Sequence, residues 1–259
     1  MTATLVWSRR NALLTTAALT LLAMGCLPEP SAPALSPSPA AGVAPVPTAT
    51  DARRAAPSAW SAETLADGDF TLEEGFHKLS LEDFDPFFAK PPQSGQATWF
   101  SIHDAIVCTG KPKGYLYSNE KFADFTLKLE LRFAPPADEA AAKNFNPNTG
   151  VMIYINEPHK QWPKSLEVQG KLSELATIKE KGGAAKVEIV EDKVARESVR
   201  KPIGEWNSLE IVSKAGSLTA LLNGNKVCES QPSDVAEGFI GLQSEDFEVH
   251  FRRLRIRAE

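Results

Sequence analysis

Side chains along a β-strand point to opposite faces in turn, so a segment with apolar residues at every second position can bury one face only as a strand. Residues 125–133 obey that rule throughout. Phe125, Leu127, Leu129, Leu131 and Phe133 form the oily set, and Thr126, Lys128, Glu130 and Arg132 fall between them. The pattern recurs in Ser165-Leu166-Glu167-Val168-Gln169 and in Ile240-Gly241-Leu242-Gln243. Strand-length runs are expected near 76–80, 98–102, 105–109, 114–118, 124–133, 150–155, 165–169, 186–190, 207–213, 217–222, 225–228, 238–243 and 248–257. Gly110-Lys111-Pro112, Asn148-Thr149-Gly150, Gly182-Gly183 and Asn223-Gly224 punctuate them as turns. Asn223-Gly224 predicts a type I′ hairpin, because both central positions of that turn want positive φ. Helical periodicity is nearly absent: a turn of helix is expected near 62–68, and residues 137–143 are the one other candidate. Many short strands joined by turns predict an all-β, two-sheet antiparallel sandwich.

The N-terminus reads as an address. Arg9-Arg10 precede an apolar run from Ala12 to Met24, too short to span a bilayer, which ends at Gly25-Cys26. Residues 1–25 therefore predict a signal peptide, and Ala23-Met24-Gly25-Cys26 resembles a lipobox with Cys26 as the lipidated residue. Ser8-Arg9-Arg10 also resembles a twin-arginine signal, and the choice between export routes stays open. Residues 26–60, rich in Pro, Ala, Ser and Thr, cannot bury a core and predict a disordered tether. At ~3.1 Å per residue in polyproline form it could reach ~100 Å. Residues 61–259 form the single expected domain. The expected location is the cell envelope, with membrane contact only through the lipid.

Charge narrows the partners. The chain has 28 basic and 33 acidic residues. Without Arg9 and Arg10 the remainder has 26 against 33, a net charge of −7, which disfavours nucleic acid and anionic membrane surfaces. Cys108 and Cys228 each sit in an apolar, strand-like context, and whether they pair is open.

Glu, Arg and Gln on the polar faces of several strands suit a carbohydrate, because they make directed, bidentate hydrogen bonds to vicinal hydroxyls. Candidates on such faces are Glu130, Arg132, Glu167, Gln169 and Gln243, and the alternation through Phe100-Ser101-Ile102-His103 adds His103. Lys164 and Trp162 would form a rim, Trp162 by stacking on a ring. The lysine- and glutamate-rich stretch 171–202, with Val187–Val190 as its only expected strand, would follow Gln169 as a rim loop.

Asp104-Ala105-Ile106-Val107-Cys108-Thr109-Gly110, followed by Gly114-Tyr115-Leu116, resembles a stretch of the DUF1080 or 3-keto-disaccharide hydrolase family. Asn148-Thr149-Gly150-Val151, the Trp162-to-Gln169 strand, Glu205-Trp206-Asn207, Leu222-Asn223-Gly224 and Gly238-to-Glu245 continue the resemblance in order. It implies a concanavalin-like jelly roll, LamG-like, with one open concave sheet. The implied activity is cleavage of 3-keto-glycosides by a hydrolase that removes the C2 proton, eliminates the C1 substituent and hydrates the product. Under that chemistry Glu167 is the expected base, Arg132 the charge stabiliser and His103 a second acid or base. Glu130, Gln169 and Gln243 would hold the ring. The alternative is a non-catalytic, lectin-like surface lipoprotein that binds an oligosaccharide. No cofactor is expected; a keto group beside a hydroxyl could chelate a divalent ion, but Asp104, Asp124, Glu130 and Asp246 have no calcium-loop spacing.

Overall fold

The structure, a computed structural model, describes residues 65, 68–95, 97–136, 143 and 145–259. The expected signal, Cys26, the tether and most of the two helical candidates lie outside the described residues. The strands in chain order are β1 (His77–Lys78), β2 (Phe84–Phe88), β3 (Trp99–Ile102), β4 (Ala105–Cys108), β5 (Gly114–Phe122), β6 (Phe125–Phe133), β7 (Gly150–Ile155), β8 (Ser165–Gln169), β9 (Ile178–Lys181) and β10 (Ile189–Glu191). Helix α1 (Lys193–Val199) follows, then β11 (Asn207–Lys214), β12 (Ser217–Leu222), β13 (Asn225–Ser230), β14 (Gly238–Ser244) and β15 (Val249–Ala258).

They form two antiparallel sheets. Nine strands run β10-β13-β12-β11-β6-β15-β4-β3, with β1 on β15; six run β2-β5-β14-β7-β8-β9. The oily stripe of β6 (Phe125 to Phe133) meets Leu116, Val151, Ile153, Leu166, Val168, Ile240 and Leu242 of the smaller sheet in one buried cluster. Each such side chain contributes roughly 1.5–3 kcal/mol relative to exposure. Asn223 and Gly224 have φ of 48° and 83° and join β12 to β13, as the type I′ turn requires. Cys108 and Cys228 are separate buried thiols, and burial pushes the Cys108 thiol up to about 12.

Two sheets that share a core turn their other faces in opposite directions, and this corrects two expectations. Glu130 and Arg132 lie on β6, in the middle of the nine-stranded sheet, whereas Glu167 and Gln169 lie on β8 of the six-stranded sheet. Their polar faces therefore point away from each other. Alternation fixes which side of a strand is wet, but not which sheet the strand joins.

The stretch 171–202 holds more structure than its charges suggest. β9 extends the six-stranded sheet, and β10 pairs with β13 of the other sheet instead of lying over Gln169. Helix α1 starts at Asp192, whose side chain accepts from the Ala195 amide at 2.8 Å, a standard N-cap. Its buried Arg196 bonds the Glu191 carboxylate and, at 2.9 Å, the Thr177 hydroxyl, which ties the excursion down.

Candidate active site

On the outer face of the six-stranded sheet, Gly150 of β7 pairs with Gln169, and Met152 pairs with Glu167. A Cβ at Gly150 would lie 2.5 Å from Glu167 Oε1 and 2.7 Å from Gln243 Oε1. The missing side chain is thus the space where those two groups converge. Both are 1% exposed, although each stands on the face turned away from the core.

A buried carboxylate is costly unless a cation accompanies it. Lys181 of β9 fills that role, with Nζ 2.6 Å from Glu167 Oε2. The contact is an ion pair rather than an aligned hydrogen bond, since Glu167 Oε2 makes no hydrogen bond among the described residues. Lys181 Nζ also stands 5.7 Å from the centre of the Trp162 ring, and Trp162 is 40% exposed. Gln169 Oε1 accepts from the Lys171 amide at 2.9 Å, which fixes its side chain. Gln243 Nε2 is buried and has no hydrogen-bond partner among the described residues. Such a donor costs about 1–3 kcal/mol unless an acceptor reaches it.

Glu245, the first residue past β14, lies close enough to Glu167 for the two charges to interact. Asn148 Nδ2 donates to its Oε2 at 3.4 Å, and Lys113 Nζ is 3.6 Å away. Burial raises its carboxyl above the ordinary carboxylate range; Lys113 opposes that rise, and the charges of Glu167 and Asp246 add to it. Lys113 is drawn more strongly to Asp246, at 2.7 Å.

Aromatic side chains continue the surface. Tyr115 lies 5.0 Å from Phe87 and 6.3 Å from Tyr117, and Tyr117 meets Phe239 at 5.7 Å and His159 at 5.8 Å between ring centres. Tyr115 Oη donates to the Lys160 carbonyl at 2.8 Å and also contacts the Pro158 carbonyl, which pins the 156–164 loop over the sheet. Burial pushes the Tyr115 hydroxyl up to about 12, so it remains a donor.

Of the residues expected from sequence, Glu167, Gln169, Gln243 and Trp162 come together. Lys164 does not. Its position alternates with Ser165 and Glu167, and it pairs with Asp234. His103 sits in the exposed two-residue turn between β3 and β4 with φ 51°, so strand alternation does not govern its direction. Glu130 accepts from Arg252 Nε at 2.7 Å and Arg253 Nη1 at 3.0 Å on the opposite side of the molecule. Arg132 stacks on Trp206 at 4.4 Å, as Arg252 does at 4.2 Å, and its Nε donates to His250 Nδ1 at 3.4 Å. Burial, with Arg252 nearby, lowers Arg132 to about 10. These contacts hold a sheet face together. Arg132→Ala should therefore destabilise the fold by about 1–3 kcal/mol, seen in thermal melts. It should leave activity at the six-stranded sheet within about threefold, because distant sites act independently.

Lys181 and Glu245 are not among the residues the sequence singles out. Lys181 hides in a charge-rich run whose strand goes unread. Glu245 follows the last residue of β14, where alternation no longer assigns a face. Among the described residues, no group of three or more His, Cys, Asp or Glu side chains is placed to hold a metal ion.

Known proteins match this fold. Two solved structures from Parabacteroides distasonis ATCC 8503, named as candidate glycosyl hydrolases, superimpose with TM-scores of 0.50 each. One is 22% identical and aligns over 71% of this chain and 99% of its own; the other is 16% identical over 73% and 98%. No curated protein sequence matches the chain. The profile of the 3-keto-alpha-glucoside-1,2-lyase-like domain matches residues 62–257, which take in every strand described above but for the last residue of β15. The chain belongs to that carbohydrate-active family.

Proposed function

We propose that the protein cleaves 3-keto-glycosides, 3-keto-disaccharides among them, with Glu167 as the general base. The observation that carries this reading is a buried carboxylate held between a lysine and an unpartnered amide donor, beside an exposed tryptophan. A ketone at C3 acidifies the C2 hydrogen, because the charge left behind spreads onto the carbonyl oxygen. The reaction needs one base, cations or donors for that oxygen and groups that orient the ring. Glu167 takes the proton. Lys181 and Gln243 Nε2 stabilise the oxygen, so the cation expected of Arg132 comes from another strand. Gln169 holds a ring hydroxyl, and Trp162 stacks on a sugar face.

Ordinary glycoside hydrolysis instead uses an acid and a second carboxylate flanking the scissile bond and an oxocarbenium-like transition state. The two routes differ in substrate. Purified protein should turn over a 3-keto-glycoside and leave the unoxidised parent sugar intact. Binding of either without turnover would instead mark a lectin-like module.

We also propose that the protein is exported and held in the cell envelope by acylated Cys26. Cys26→Ser should leave the domain folded and move it from the membrane fraction to the soluble one. A mutant that stays membrane-bound would refute the anchor.

A further inference from the structure

We propose that Glu245 is the second proton carrier of this site: as an acid it protonates the oxygen leaving C1, and as a carboxylate it takes a proton from the water that adds. This inference rests on the reading of Glu167 as base.

Glu245 follows β14, the strand of Gln243, and lies close enough to Glu167 for the two charges to interact, while Gln243 and Glu167 converge over Gly150. Their surroundings differ. Glu167 is 1% exposed and has Lys181 at 2.6 Å. The Glu245 side chain is 11% exposed, its lysine is farther, at 3.6 Å, and that lysine prefers Asp246. The groups facing Glu245 are Lys113, Asp246, Asn148 and Glu167. Burial and the two acidic neighbours favour its neutral form. Two carboxyls in unlike surroundings are a common arrangement of an acid and a base in one site. Asn148 adds an observation of its own: its Oδ1 is buried and makes no hydrogen bond among the described residues, while its Nδ2 holds Glu245.

The proton balance closes. Glu167 removes the C2 hydrogen, the C2 electron pair becomes the C1–C2 double bond, and the C1–O bond breaks. The leaving oxygen takes the Glu245 proton and departs as an alcohol. Water then adds across the double bond. Its oxygen bonds to C1, Glu245 recovers a proton from it, and Glu167, its carboxyl proton exchanged with solvent once the alcohol has left, protonates C2. Both carboxyls end as they began, and the net change is hydrolysis.

The test uses full-length protein in detergent, wild type and Glu245→Gln, on methyl and 4-nitrophenyl 3-keto-glucosides. Methoxide leaves poorly without a proton, whereas nitrophenolate leaves without help. Glu245→Gln should lose about 10²–10³-fold in kcat/KM on the methyl substrate and less than about tenfold on the nitrophenyl one. The wild-type rate on the methyl substrate should also fall as rising pH ionises Glu245, and the variant should lack that limb. Equal losses on both substrates, or no loss on the methyl one, would overturn the role of Glu245 alone. A wild type inactive on both would overturn the Glu167 reading and this one with it. Retained nitrophenyl turnover reports that the variant is folded.

Discussion

Glu167→Gln is expected to cut turnover of a 3-keto-glycoside by about 10²–10⁴-fold, the usual worth of a general base, while substrate binding stays within about tenfold. Gln keeps the size of the side chain and can still hydrogen-bond a hydroxyl, but it cannot accept the C2 proton. It also removes the negative partner of Lys181, which stands 2.6 Å from Glu167 Oε2. The freed lysine can still meet the ketone oxygen, so ground-state binding should survive. Single-turnover kinetics combined with titration calorimetry separates the two quantities. Turnover close to wild type would remove Glu167 from the base role, and a matching loss of binding would make it a ring-holding group instead.

Gly150→Ala should be nearly as damaging to activity and far gentler to the fold. The new methyl would sit 2.5 Å from Glu167 Oε1 and 2.7 Å from Gln243 Oε1, distances that force both side chains aside. These atoms are side-chain tips, and Gly150 is not in the left-handed region, so the strand itself can keep its path. A displacement of about 1 Å at a reacting group can cost about 10²-fold in rate, and a loss of at least that size is expected in kcat. Gly238→Ala is the contrasting case. There the methyl would lie 2.4 Å from the Tyr154 carbonyl carbon, a backbone atom, so the two strands would have to separate. Thermal melts should show Gly150→Ala close to wild type and Gly238→Ala strongly destabilised. An inactive but unshifted Gly150→Ala would tie the activity to the space above this glycine.

Much of this molecule is legible from periodicity because a sandwich states its core in alternation. Leu166 and Val168, Ile240 and Leu242, and the stripe from Phe125 to Phe133 all face inward, as the sequence implies. The same rule turns Glu167, Gln169 and Gln243 outward together. It fails for Glu130 and Arg132 because identical patterns lie on both sheets, and only pairing partners distinguish them. β6 pairs with β11 and β15, whereas β8 pairs with β7 and β9, and these contacts join residues far apart in sequence. His103 misleads for a local reason. A two-residue turn breaks the alternation one residue before it would apply. Lys181 escapes notice because β9 is short and lies among lysines and glutamates, where a solvated loop is the ordinary reading. Helix α1, with seven residues, is too short to establish a period, although its Asp192 cap is visible in the sequence.

Cleavage of a 3-keto-glycoside in heavy water, followed by NMR of the sugar product, tests the central claim most directly. Removal of the C2 hydrogen, exchange of the Glu167 carboxyl proton with solvent once the alcohol has left, and protonation of C2 from Glu167 predict one solvent deuterium at C2 early in the reaction, and Glu167→Gln should abolish both cleavage and exchange. Cleavage with hydrogen retained at C2, at a rate that a C2-deuterated substrate does not slow, would contradict the account, since the bond would then be breaking without proton removal at that carbon.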